Sequence, residues 1–80
     1  SYEAQKEKQK QVRKAEKAVA DNEAEVAKLE NKIAGIEAKL AAGDTDADLL
    51  TQYEKAKRSL DEKMYEWEIL TEELEKLKNE

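Results

Sequence analysis

Two runs of residues, each stepping alternately by four and by three, constrain this chain more than any other feature. The first passes through Val12, Ala15, Val19, Asn22, Val26, Leu29, Ile33, Ile36 and Leu40. The second passes through Leu49, Tyr53, Ala56, Leu60, Lys63, Trp67, Leu70, Leu74 and Leu77. Such steps keep side chains on one stripe of an α-helix, and a stripe this narrow is the a/d seam of a coiled coil. Only Asn22 in the first run and Lys63 in the second interrupt it with a polar side chain. Continuing the first register past Leu40 without a break would bring Gly43, Glu54, Lys57, Asp61 and Glu68 into the core. One unbroken helix therefore loses its seam, and the chain has to turn.

The turn has its own chemistry. Gly43 suits the left-handed position that follows a helix, and Thr45 or Asp46 suits the N-cap of the next. Asp44, Asp46 and Asp48 favour the positive end of that helix's dipole. The expected fold is all-α, a two-helix antiparallel coiled-coil hairpin forming one domain over residues 1–80. The first helix spans about 3–42, the loop about 43–47 and the second helix about 48–78. Folding the chain back pairs Leu40 with Leu49, Ile36 with Tyr53, Ile33 with Ala56 and Leu29 with Leu60. The remaining layers pair Val26 with Lys63, Asn22 with Trp67, Val19 with Leu70, Ala15 with Leu74 and Val12 with Leu77. Every pair of numbers adds to 89. The paired arms are expected to be about 45 Å long, with residues 1–8 overhanging.

Beside the seam, the e positions of the first helix are all Glu: Glu16, Glu23, Glu30 and Glu37. The alignment brings Lys78 towards Glu16 and Lys57 towards Glu37. Trp67 and Tyr53 read as seam residues, and Tyr65 falls on the outer face. Asn22 is either a register pin that the Trp67 indole can partner, or a hydrated edge of the seam. Lys63 is expected to lay its stem along the seam with its ammonium in water.

Composition agrees with a thin core. Charged residues make up 44% of the chain and aromatics 5%, with no proline and two glycines. A sequence this polar cannot fill a broad core, but Ala, Glu, Lys and Leu at helical spacing can build a coiled coil. There is no His and no Cys. No glycine-rich phosphate loop and no nucleophile with a base beside it can be found, so no catalytic activity, cofactor or metal of its own is expected. The alternating Asp44, Asp46 and Asp48 lack the further ligands, central Gly and closing Glu of a calcium loop, and read as helix capping. No apolar run approaches a membrane span and no signal-peptide pattern opens the chain, so a soluble, cytoplasmic protein without membrane contact is expected.

Charge is unevenly spread. Residues 1–20 carry six basic side chains (Lys6, Lys8, Lys10, Arg13, Lys14, Lys17) and three acidic ones, a net +3. The other sixty carry nine basic and seventeen acidic, a net −8. Lys6, Lys10, Arg13 and Lys17 form one outward stripe, with Lys14 beside it. That stripe is either a phosphate-contacting face or an ordinary solvated helix face.

The detailed pattern resembles the C-terminal coiled-coil domain of the ABC-F ATP-binding cassette ATPases. The Lys6-to-Lys17 segment is similar to their basic lead-in, and residues 30–40 (Glu-Asn-Lys-Ile-Ala-Gly-Ile-Glu-Ala-Lys-Leu) to their first helix. Met64-Tyr65-Glu66-Trp67-Glu68-Ile69-Leu70 resembles the aromatic-x-x-Trp-Glu-x-Leu end of the second. Met64 stands where an aromatic is usual, and Glu66 where a basic residue often precedes the Trp. The resemblance implies that two cassette domains, which hydrolyse ATP, precede this hairpin in the same parent protein. It also implies work on the ribosome and contact with nucleic acid, DNA or ribosomal RNA, through Lys6, Lys10, Arg13, Lys14 and Lys17. Two rivals stand beside it: a purely structural or protein-binding hairpin, and the helical arm of an aminoacyl-tRNA synthetase.

Overall fold

The structure is a computed structural model describing residues 1–80. Helix α1 runs Tyr2–Ala41 and helix α2 Ala47–Lys78, and no other regular element occurs. The two lie antiparallel in a rod of 64 × 15 × 14 Å. The chain exposes 6342 Å², against about 4,900 Å² for a globular protein of its mass. Two helices can bury only the stripe between them.

Both helix starts are capped as the local sequence dictates. The Ser1 side chain accepts from the Ala4 amide at 3.2 Å. Asp46, with extended backbone (φ −62°, ψ 118°), accepts from the Asp48 amide at 3.0 Å. Of the two N-cap candidates, Asp46 therefore takes the position. Asp44 in turn accepts from the Asp46 amide at 3.0 Å. At the end of α1, Gly43 has φ +91°. Its amide donates to the Leu40 carbonyl at 3.1 Å and the Asp44 amide to the Lys39 carbonyl at 3.1 Å. This Schellman arrangement satisfies the last carbonyls and reverses the chain.

Seventeen of the eighteen seam positions are buried or half-buried, so the register drawn from the four-three spacing is the one that packs. The exception is Trp67, 39% exposed. The buried apolar residues are Ile33, Ile36, Leu49 and Ala56, all in the three layers nearest the turn. The small Ala56 facing Ile33 allows close approach of the helices there. Lower down, the other apolar seam residues are half-buried, and Lys63 and Trp67 each keep a polar end at the surface.

Four local expectations need correction. Trp67 does not partner Asn22: its indole N–H donates to Glu23 Oε2 at 3.1 Å, because the ring leans out over the flank. Asn22 instead donates through Nδ2 to the main-chain oxygen of Lys63 at 3.1 Å. It is 4% exposed, which excludes the hydrated-edge reading. Lys57 forms no ion pair with Glu37. The Tyr53 hydroxyl reaches Glu37 Oε2 first, at 3.4 Å, and the Lys57 ammonium lies 5.4 Å from the Tyr53 ring centroid. The overhang is shorter than residues 1–8, because Lys8 is half-buried and donates to the main-chain oxygen of Glu80. Lys8 stands four residues before Val12 and so continues the same seam. The Lys78–Glu16 pair is present at 3.9 Å, and Lys63 keeps its ammonium at the surface, 3.3 Å from Glu66.

Candidate nucleic-acid interface

The basic stripe sits on the first turns of α1, on the side of the helix away from the seam. Lys6, Lys10, Arg13, Lys14 and Lys17 are all exposed. Steps of four, three and four stack four of them over about 16 Å of helix axis, with Lys14 to one side. Tyr2, Lys6, Gln9, Lys10 and Arg13 line a surface depression along this face, together with the carboxylates Glu3 and Glu7. Tyr2 lies in line with the stripe and is exposed, at its open end. Tyr2 is not among the stripe residues expected from the sequence; its spacing of four from Lys6 is the signal by which it could have been found.

The five cations are not equivalent. Lys17 is held by Asp21 one turn further on, at 2.6 Å. Lys6, Lys10, Arg13 and Lys14 have no acidic group within ion-pair distance. Lys8, the sixth basic residue of the segment, faces α2 rather than the stripe.

The far side of the same part of the rod has the opposite sign. Residues 61–80 carry eight carboxylates and three lysines. Their repulsion of a polyanion is weakened by distance. The rod is 15 × 14 Å in section, wider than the screening length of about 8 Å at physiological ionic strength. At that salt the stripe therefore presents its own charge rather than the net charge of the chain. At low salt the acidic side would be felt as well.

No three or more Asp or Glu side chains are arranged to hold a metal ion. Asp44, Asp46 and Asp48 are occupied with the amides of the turn and with Gln52, which donates to Asp48 at 2.9 Å. No helix is long and apolar enough to cross a membrane. Against known proteins, no family model matches the chain, and neither a curated protein nor a solved structure matches it.

Proposed function

We propose that this hairpin is a non-catalytic arm that contacts nucleic acid, DNA or ribosomal RNA, through the basic face of α1. The observation that carries the reading is the set of four exposed, unpaired cations, Lys6, Lys10, Arg13 and Lys14, gathered on one face within three turns. Phosphates along a strand or groove edge meet several such groups at once, and each contact releases condensed counterions. Few side chains there can read base edges, so binding is nearly independent of sequence and falls steeply with salt. The resemblance to ABC-F ATPases supports a cytoplasmic parent protein in which cassette domains hold the arm near its target on the ribosome. Local concentration then turns weak contacts into effective ones.

The test is titration of the chain, and of a Lys10→Glu/Arg13→Glu/Lys17→Glu variant, into short duplex DNA and structured RNA at low salt. The stripe predicts binding that the variant loses. Equal binding by both would leave α1 with a solvated face only, and the structural or protein-binding reading would replace this one.

A further inference from the structure

In the seven residues from Met64 to Leu70, five apolar side chains (Met64, Tyr65, Trp67, Ile69 and Leu70) are spread around the helix. Leu70 is half-buried in the seam. Trp67 is 39% exposed at its edge, Met64 52% exposed on the flank, and Tyr65 (67%) and Ile69 (42%) stand on the face turned away from α1. Because α1 covers only one side of this stretch, the apolar side chains on its other sides stand in water, interleaved with Glu66 and Glu68. Tyr65 and Ile69 are four residues apart and form a ridge of the kind that packs against another helix. Outside this band the exposed large apolar residue of α2 is Leu50, 54% exposed on the flank beside the turn; Thr51, Glu54, Lys55, Arg58, Asp61 and Glu62 precede the band on the side away from the seam, and Glu72, Glu75, Lys76 and Asn79 follow it.

The surroundings of the ridge say what kind of partner fits. The residues three and four positions from Tyr65 and Ile69, other than each other, are Asp61, Glu62, Glu66, Glu68, Glu72 and Glu73. All six are carboxylates. Glu66 is paired with Lys63 and Glu72 with Lys76, while Asp61, Glu62, Glu68 and Glu73 have no ion pair. Carboxylates crowded at helical spacing repel one another. A basic partner relieves that repulsion while covering the apolar ridge, whereas a nucleic acid or an anionic membrane would worsen it.

We infer that the Met64–Ile69 band of α2 is a docking surface for a basic amphipathic helix of another protein, its apolar stripe on Tyr65 and Ile69 and its Lys or Arg flanks against the ring of carboxylates. The surface lies on the opposite side of the rod from the basic stripe of α1, so the two contacts are independent. A helix laid in this way fits the recurring mode in which spaced apolar anchors settle on a ridge and charges at the rim set orientation.

The probe is a labelled peptide of about 18 residues, about five turns, with Leu along one stripe and Lys or Arg on both flanks. Its control has the same composition scrambled so that Leu is spread around the helix. The full chain should bind the amphipathic peptide at least about tenfold tighter than the scrambled one, with a shift in Trp67 emission. Tyr65→Ala/Ile69→Ala should lose about tenfold or more, as truncated anchors do, with thermal melting unchanged. Should that variant melt lower, Tyr65→Gln alone, further from the seam, carries the same test. Lys10→Glu/Arg13→Glu/Lys17→Glu should not weaken peptide binding, which separates this result from failure of the nucleic-acid reading. Equal affinity for the two peptides, no binding of either, or full binding by the double variant would each overturn the inference. So would sedimentation of the chain as a dimer that the double variant dissolves, because the occupant would then be a second copy.

Discussion

Asn22 of α1 and Lys63 of α2 are joined across the seam by a hydrogen bond from a side-chain amide to a main-chain oxygen, at 3.1 Å. No protein group reaches the other amide atom, Asn22 Oδ1, although it is fully buried. Polar residues at such positions hold a register and lower stability while doing so. Asn22→Leu should therefore raise stability by about 1 kcal/mol, seen as about 4–8 °C in the melting midpoint of a chain this size. It should also loosen specificity, so that sedimentation detects associated species absent from the parent. A lower midpoint would mean that the bond to Lys63 outweighs the polarity of Asn22, and the register-pin account would have to go.

The burial gradient along the rod makes a second prediction. Ile36 is buried beside the turn, whereas Leu74, near the open end, is only half-buried. Ile36→Ala should cost about 3 kcal/mol, and Leu74→Ala about half as much, because a half-exposed site leaves little cavity. Amide exchange should show the same order, with the slowest amides in residues 33–40 and 49–56 and fast opening at the base. Equal costs at the two positions would show that the seam is uniformly packed.

The seam was legible because alternation of three and four has one structural meaning once Gly43 breaks it. The register followed from arithmetic, since a short loop at Gly43 sets Leu40 opposite Leu49 and every later layer then adds to 89. The contacts beside the seam were not legible in the same way. Glu37 has Tyr53 and Lys57 within reach, and Glu23 competes with Asn22 for the Trp67 indole. Spacing names the neighbours but not which donor arrives first. The basic stripe was visible by periodicity alone, but the sequence could not show that Lys17 is held by Asp21 while Lys8 turns towards Glu80. The ring of six carboxylates around Tyr65 and Ile69 was present in the spacing too. It acquired meaning only when the exposure of those two side chains was known.

The two glycines should respond to alanine with opposite signs. Gly43 has φ +91°, a conformation that an L side chain rarely adopts, with nothing within 4 Å of an added Cβ. The penalty of Gly43→Ala is thus backbone strain alone, about 1 kcal/mol, and Gly43→Asn should cost less. Gly35 lies inside α1, also with nothing within 4 Å of an added Cβ. Gly35→Ala should stabilise the hairpin by about 0.5–1 kcal/mol through helix propensity. Chemical denaturation of the single variants measures both. Stabilisation by Gly43→Ala would mean that α1 does not end as described.

The last prediction concerns Asp21, which the basic-face proposal makes a competitor of nucleic acid. Its carboxylate sits 2.6 Å from the Lys17 ammonium, on an exposed part of the helix. A phosphate that engages Lys17 must displace it. Exposed pairs one turn apart on a helix are worth about 0.3–0.5 kcal/mol, so the penalty is about a factor of two in affinity. Asp21→Asn removes the competitor without adding a cation, and Lys17 then joins Lys6, Lys10, Arg13 and Lys14 as a free contact. Binding to short duplex DNA at low salt should tighten about twofold, and the slope of log affinity against log salt should steepen by up to about 0.9. In the parent chain, Lys17→Gln should for the same reason weaken binding less than Arg13→Gln, because Arg13 has no acidic partner to shed. Salt titrations of the three variants beside the parent chain measure these effects together. An unchanged slope in Asp21→Asn, with Lys17→Gln as damaging as Arg13→Gln, would show that the Asp21 pair does not gate Lys17 and that contact strength along the stripe is set by something other than local pairing.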